Sequence, residues 1–134
     1  MRTSIGIIVT LVLLLMGAPA PAQEAELTRP TLLLQEVLKG MPRGDRQEVR
    51  VITANFKPGD KTVFHTHRFP VTVYVLEGAF TLEMEGRAPV TIKAGEAFTV
   101  PSGVVHEASA GRVPTKLLAT YIVEKGKPLR TAVQ

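Results

Sequence analysis

Cysteine is absent from the 134-residue sequence, which excludes both disulfide bonds and lipid attachment through an N-terminal cysteine. Aromatic residues are also few, at 5% of the chain. Long apolar runs are missing as well, because the run from Ile5 to Met16 spans 12 residues and a membrane-spanning helix needs about 20. Without crosslinks, a chain of this length must be held by a well-packed core or by association with a second copy.

Clustered positive charge is the next missing feature. The formal net charge is +4, but the basic residues are scattered singly, and nearly every one has a carboxylate or a proline-glycine turn nearby. They include Arg43, Arg46, Arg50, Lys57, Lys61, Arg87 and Lys93. A nucleic-acid-binding surface needs basic residues gathered on one face. The sequence therefore predicts no nucleic-acid partner, and its positive balance favours solubility.

The first 22 residues have the order of parts of a secretory signal peptide. Arg2 gives a positive start, the apolar run from Ile5 to Met16 follows, and small residues lead to Ala20-Pro21-Ala22. Cleavage is predicted after Ala22, which would leave 112 of the 134 residues. An uncleaved membrane anchor is the alternative, and the shortness of the run disfavours it. We therefore expect a periplasmic or secreted protein with no stable membrane insertion after cleavage.

The rest of the sequence predicts one all-β domain over residues 31–134, preceded by a polar, flexible lead-in at residues 23–30. Residues 31–38 are ambiguous, because Thr31 could cap a short helix while the leucines also suit one face of a strand. Beyond them, short alternating segments separated by turn signals indicate an antiparallel sandwich or barrel. These segments are Val49–Thr53, Val71–Val75, Phe80–Met84, Val90–Ile92, Phe98–Val100 and Leu117–Val123. The interior of such a barrel is filled by side chains or holds one small ligand.

The three histidines are the most informative feature of the sequence. His65 and His67 are two residues apart in a β context, so both point to one face with Cα atoms about 6.6 Å apart. His106 lies 39 residues later and must arrive from another strand. Imidazole is the commonest protein ligand for transition metals. Spacing alone is nevertheless weak evidence for a metal site, because His-x-His pairs are also common on exposed strands.

The residues around the histidines form two spaced motifs. Gly59–His67 has the pattern glycine, five residues, His-x-His, and a closing glycine follows at Gly78. Gly95–His106 has the pattern glycine, five residues, Pro-x-Gly, two residues, histidine. In order and spacing these stretches resemble the two motifs of the cupin superfamily. The resemblance covers roughly residues 47–123 and is closest to the small, single-domain exported cupins.

This resemblance implies a double-stranded antiparallel β-barrel of the jelly-roll type, with one divalent metal ion held by His65, His67 and His106. The family usually has a glutamate shortly after His-x-His, where this sequence has Val71 and Thr72, so it is similar to the three-histidine members. A neutral site of three nitrogens favours zinc, iron, nickel or copper over manganese, which prefers oxygen ligands. The alternative is a degenerate barrel whose histidines bind only water.

The resemblance also places Val71 toward the metal, and strand parity extends this to a set of apolar residues that should line the pocket. The set is Val63, Val71, Val73, Met84, Phe98 and Val100. Three carboxylates near the motifs, those of Glu77, Glu96 and Glu107, are expected to be solvated. General acid–base chemistry needs a positioned proton carrier, and the predicted pocket has none, so isomerase, epimerase and lyase activities are disfavoured.

Two classes of function fit these predictions. The first is a non-catalytic module of the cell envelope that binds a metal or a small molecule. The second is a metal-dependent dioxygenase acting on a small organic substrate, which the resemblance allows because cupins include such enzymes. Small cupins commonly pair through their N-terminal strand, so a homodimer formed through residues 31–38 is expected in either case.

Overall fold

The computed structural model describes residues 29–133, and every regular element among them is a β-strand. The predicted signal peptide at 1–22 and residues 23–28 of the predicted lead-in lie outside the described residues. The described part of the chain contains no helix that could cross a membrane. Its strands are β1 (Gln47–Phe56), β2 (His65–Thr66), β3 (Val71–Glu77), β4 (Ala79–Met84), β5 (Val90–Lys93), β6 (Ala97–Val100), β7 (His106–Ala110), β8 (Thr115–Glu124) and β9 (Thr131–Ala132).

The strands form two sheets in which every pairing is antiparallel. One sheet has the order β1-β8-β3-β6, and the other has the order β5-β4-β7-β2-β9. Both sheets contribute to one buried apolar cluster, which contains Val71, Val73, Val75, Phe80, Leu82, Ile92, Val100, Ala108, Leu117 and Ala119. The prediction of an all-β antiparallel fold of the jelly-roll type is confirmed.

Strand β3 illustrates how the sequence produces this core. Val71, Val73 and Val75 are buried, and they alternate with half-buried Thr72 and Tyr74. Because successive side chains of a strand point to opposite faces, the three valines lie on the inner face. Burying each of them contributes roughly 1.5–3 kcal/mol. The inner face of β3 therefore supplies both packing and, at Val71 and Val73, part of the wall of an internal cavity.

The reversal between β3 and β4 depends on Gly78. Its φ of +74° lies in the left-handed region that side chains disfavour. A Cβ at this position would also meet the carbonyl oxygen of Pro114 and lie 2.6 Å from Thr115 Oγ1. The Thr115 hydroxyl donates a hydrogen bond to the Ala79 carbonyl at 2.8 Å, so it is fixed in place. Glycine is required here for two independent reasons.

The segment from Thr31 to Leu38 is neither a helix nor a strand, which corrects both expectations for it. Leu32 and Leu33 are exposed, and Val37 is 98% exposed. A periodic apolar pattern forms a regular element only when a neighbouring surface covers it. Within the described residues of the single chain, no strand pairs with this segment.

Candidate metal centre

His65 and His106 are direct cross-strand partners. His65 begins β2, His106 begins β7, and the antiparallel register pairs the two residues. Directly opposed residues have Cβ atoms about 5 Å apart, and His67 returns to the same face two residues after His65. The distances between ring centroids are 4.2 Å for His65–His106, 4.8 Å for His67–His106 and 4.9 Å for His65–His67. The structure therefore brings together all three predicted ligands.

A backbone carbonyl holds the Nδ1 atom of each imidazole. The carbonyls are those of Val63 for His65 (2.7 Å), Val104 for His106 (2.9 Å) and Leu129 for His67 (2.7 Å). Because a carbonyl oxygen only accepts hydrogen bonds, each Nδ1 carries the hydrogen and each neutral ring keeps its lone pair on Nε2. One ring nitrogen of each histidine lies within 4.8 Å of the other two. The Nε2 atoms are therefore the three donors available to an ion.

The turn of the second motif fixes the backbone around His67. The Gly103 amide donates a hydrogen bond to the His67 carbonyl at 2.8 Å, and the Ser102 hydroxyl donates one to the Arg68 carbonyl at 2.7 Å. Gly103 has a φ of +73°, which glycine adopts without strain. The stretch from Pro101 to His106 therefore positions His106, and its two hydrogen bonds also fix the backbone around His67. This coupling between the motifs is visible only in three dimensions.

Burial is the main cause that lowers the pKa of two of the imidazoles. It lowers the pKa of His67 to about 4, with smaller contributions in the same direction from His106, His65 and Arg130, while the hydrogen bond to Leu129 opposes the shift. Burial likewise lowers the pKa of His106. Both rings are consequently neutral near pH 7, the form in which imidazole binds metals.

A cavity of about 140 Å³ adjoins the three imidazoles. Four of the six predicted lining residues border it: Val71, Val73, Phe98 and Val100. Val63 does not, and it is 60% exposed, because the chain is irregular between Thr62 and Phe64 and strand parity fails there. Met84 is in register with His106 but packs against the core cluster rather than lining the cavity.

Three polar residues at the cavity, Thr62, Tyr121 and Arg130, were missed by sequence reasoning. Tyr121 lines it, with its ring centroid 5.5 Å from that of His67. The alternation of Leu117, Ala119 and Tyr121 in β8 could have revealed this inward position. Arg130 also lines the cavity, but it follows a turn in the polar tail, where no periodicity marks it. The prediction that the pocket holds no proton carrier is therefore wrong at Tyr121, whose phenolic hydroxyl can donate or accept a proton.

Glu107 is not solvated as the sequence analysis predicted. The structure places its side chain in a buried position rather than in solvent, and a carboxylate oxygen lies 3.5 Å from Lys61 Nζ. Glu107 follows His106 directly, so its side chain points away from the imidazoles. The bridge between Lys61 and Ser109 brings the lysine alongside β7, which the sequence does not indicate. Glu77 and Glu96 are exposed, as expected.

Comparison with known families gives one decisive match. The family model described as the cupin domain matches residues 52–121, which is more than half of the chain. The chain belongs to the cupin family. All three histidines of the site and the strands β2 to β7 lie within the matched residues. None of the curated protein sequences compared with this cupin matches it significantly.

Solved structures similar to this cupin include three of bacterial origin. A cupin-like protein from Thermotoga maritima MSB8 is 22% identical over 63% of this chain and 64% of that chain, with a TM-score of 0.55. An RmlC-like cupin from Shewanella frigidimarina NCIMB 400 is 24% identical over 64% and 84%, with a TM-score of 0.53. A polyketide cyclase from Streptomyces resistomycificus is 26% identical over 68% and 63%, with a TM-score of 0.56. The match spans less than two thirds of the Thermotoga and Streptomyces chains.

The donor set of this cupin fits a divalent transition-metal ion. Three imidazoles present their Nε2 atoms to one another across a buried space, and each ring is oriented by a hydrogen bond from its Nδ1. No carboxylate is among the described residues that line the cavity. Val71, which the family resemblance aligns with the usual carboxylate, is buried in the cavity wall. The set therefore resembles a three-nitrogen site with open coordination positions.

Proposed function

We propose that this protein is an exported cupin that binds one divalent metal ion through His65, His67 and His106. The observation that carries the proposal is that all three imidazoles donate from Nδ1 to a backbone carbonyl. Histidines that serve only as core residues have no reason to share one tautomer and converge their free nitrogens. Metal-ligating histidines show this arrangement because the outer hydrogen bond fixes the ring and the tautomer.

The charge of the donor set narrows the choice of metal. Three neutral nitrogens leave the +2 charge of an ion uncompensated, and they offer no hard oxygen ligand. Zinc, iron, nickel and copper suit such a set better than manganese. The bound ion would supply Lewis acidity and open coordination positions next to the apolar cavity. The protein supplies ligand orientation, burial and the cavity walls.

Zinc titration of the metal-free protein tests this proposal. We expect one zinc per chain, and we expect His106→Ala to weaken binding at least about 100-fold, because changes even to residues outside the ligand set commonly cost 10- to 100-fold. Thr62→Ala is a suitable control, because Thr62 lines the cavity without offering an imidazole. Zinc affinity that is unchanged in His106→Ala would refute the three-histidine site.

A metal-dependent dioxygenase acting on a small organic substrate is the second candidate function. The observation that favours it is the apolar wall of Val71, Val73 and Val100 beside the imidazoles, which could position a hydrocarbon group. Elemental analysis of protein purified from its own compartment separates the two candidates. Iron, nickel or copper together with oxygen consumption supports the enzyme, whereas tightly held zinc and no oxygen consumption supports the binding module.

Export is part of the proposal, on the basis of the first 22 residues of the sequence. The mass of the intact exported protein should correspond to a chain that begins at Gln23. A mature protein that retains residues 1–22 would contradict cleavage.

A further inference from the structure

Arg130 brings a permanent positive charge to the wall of the cavity. Among the described residues that line the cavity, it is the one side chain that carries a full charge at every physiological pH. The remaining wall consists mainly of apolar side chains, together with the imidazoles, Thr62 and Tyr121. A low-dielectric cavity lined by one sign of charge favours a counter-ion of the opposite sign.

The register of the last strand explains why Arg130 faces the cavity. Strand β9 pairs antiparallel with β2, so that Ala132 is opposite His65 and Thr131 is opposite Thr66. Continuing this register by one residue places Arg130 opposite His67. Opposed residues share a face of the sheet, so the arginine lies on the side that carries the histidines. The Leu129 carbonyl, which accepts the hydrogen bond from His67 Nδ1 at 2.7 Å, fixes the backbone directly before it.

No carboxylate of residues 29–133 neutralises Arg130. The ion pairs found among these residues are Arg50–Glu48 and Lys61–Glu107, and neither involves it. Its side chain borders the same cavity as the three imidazoles. The guanidinium is thus close to the metal centre and available to an anion that enters the cavity.

We propose that the cavity of the metal site takes a small carboxylate, and that Arg130 is the residue that recognises its charge. The carboxylate pairs with the guanidinium, which matches it with two parallel hydrogen bonds, and the short hydrocarbon part packs against Val71, Val73 and Val100. The cavity volume of about 140 Å³ sets the size, since a water molecule takes up about 30 Å³ in the liquid and the cavity holds about five groups of that size. Propionate has five non-hydrogen atoms and is the matching probe. This inference rests on the proposed function, because it names the ligand class of the same site.

Calorimetric titration with propionate tests the inference on three proteins: the wild type, Arg130→Gln and Arg112→Gln. Arg112 is also an exposed arginine of the carboxyl-terminal third but does not line the cavity, so its replacement controls for the loss of one positive charge. Each protein is titrated in the zinc-loaded and in the metal-free form, and its zinc content is measured separately. Propionamide, which has the same shape without the charge, is titrated in parallel.

We expect propionate to bind the wild type and Arg112→Gln equally, and to bind Arg130→Gln at least tenfold more weakly, with the zinc content unchanged. Arg130→Lys should give an intermediate affinity, because it keeps the charge but loses the two-pronged geometry. The wild type should prefer propionate to propionamide at least tenfold. The inference is overturned if propionate binds neither form of the wild type, or if Arg130→Gln binds it as tightly as the wild type does. Loss of zinc binding alone would count against the metal site, while the titration of the metal-free proteins would still decide the role of Arg130.

Discussion

His67 is buried among the other two imidazoles and Arg130, and this environment lowers its pKa to about 4 from an ordinary value of 6.5. Between these two pH values the unfolded chain binds a proton at His67 that the folded chain does not bind. Above pH 6.5, protonation of His67 does not reduce the free energy of unfolding of the metal-free protein. As the pH falls from 6.5 toward 4, protonation of His67 in the unfolded chain progressively lowers this free energy.

The His67→Asn variant isolates this effect. We expect the melting temperature of the metal-free wild type to fall more steeply between pH 6.5 and 4 than that of the variant, because the variant lacks the linked proton. Thermal melts of both proteins at half-unit pH intervals measure the difference. Equal pH slopes would mean that His67 is not desolvated as the structure indicates.

A substitution at Val71, where the cupin family usually has a glutamate, tests whether this position faces the ion. Val71 is 2% exposed and lines the cavity. In the metal-free protein, Val71→Glu buries an unpaired carboxylate and should destabilise the fold by about 3 kcal/mol. Zinc should restore much of this stability, and the affinity for manganese should rise, because the new oxygen ligand suits harder ions.

Val75→Glu is the matched control for this substitution. Val75 lies on the same face of β3 and is 0% exposed, but it does not line the cavity. Melting temperatures with and without zinc should show metal rescue for Val71→Glu and none for Val75→Glu. Equal behaviour of the two variants would remove Val71 from the metal site.

Individual residues of the site could be predicted from the sequence to different extents. The three histidines of the candidate site were recognisable because their spacing is built into two motifs. The family resemblance placed Val71, and the alternation of regular strands then gave Val73, Phe98 and Val100. The prediction that Val63 lines the cavity failed because the chain is not a strand at that point. Arg130 was missed because its position depends on the pairing of β9 with β2, a contact between distant parts of the sequence.

At the scale of elements, the connection between β3 and β4 restricts the choice of residue most strongly, at Gly78. Gly78 and Gly86 share a φ of +74°, but only Gly78 has neighbours where a Cβ would lie; nothing is within 4 Å of the corresponding position at Gly86. Gly86→Ala should therefore cost about 1–2 kcal/mol, which is the conformational penalty alone. Gly78→Ala should cost roughly 2 kcal/mol more, because the backbone must move.

Urea unfolding of both variants measures these costs. The pair separates the cost of the clash from the cost of the backbone conformation, since the φ values are the same. Similar losses of stability in the two variants would show that the β3–β4 connection can relax around a methyl group.

The long strands were easier to predict than the short ones. Strands β3 and β8 contain alternating branched residues, and their burial pattern follows the alternation. In β7 the sequence His-Glu-Ala-Ser-Ala has little intrinsic preference for a strand. This strand is formed because β4 pairs with it along five residues, from Phe80–Ala110 to Met84–His106. Tertiary pairing, rather than local propensity, thus positions His106.

At the scale of the whole molecule, exposed apolar residues favour the homodimer that the sequence led us to propose. Leu32, Leu33 and Val37 are exposed in the irregular segment, and Val49 and Val51 are exposed on β1, which is an edge strand of its sheet. An edge strand with apolar side chains is an open site for association. We propose that residues 31–38 of one copy pack against the other copy.

Sedimentation analysis of two truncated forms tests the dimer. Deletion of residues 23–38 should convert the protein to monomers or lower its melting temperature, because it removes Leu32, Leu33 and Val37 from the interface. Deletion of residues 23–30 alone should leave the dimer intact. A monomeric full-length protein at high concentration would contradict the proposal.

The central claim of a three-histidine metal centre is tested most directly by X-ray absorption spectroscopy of the zinc-loaded protein. The structure predicts one zinc per chain coordinated by three imidazole nitrogens, from His65, His67 and His106, at about 2.0–2.1 Å. The imidazole signal should fall to two rings, or the bound zinc should be lost, in His106→Ala. A zinc shell with fewer than three imidazoles in the wild type, or one made of carboxylate oxygens, would contradict the account.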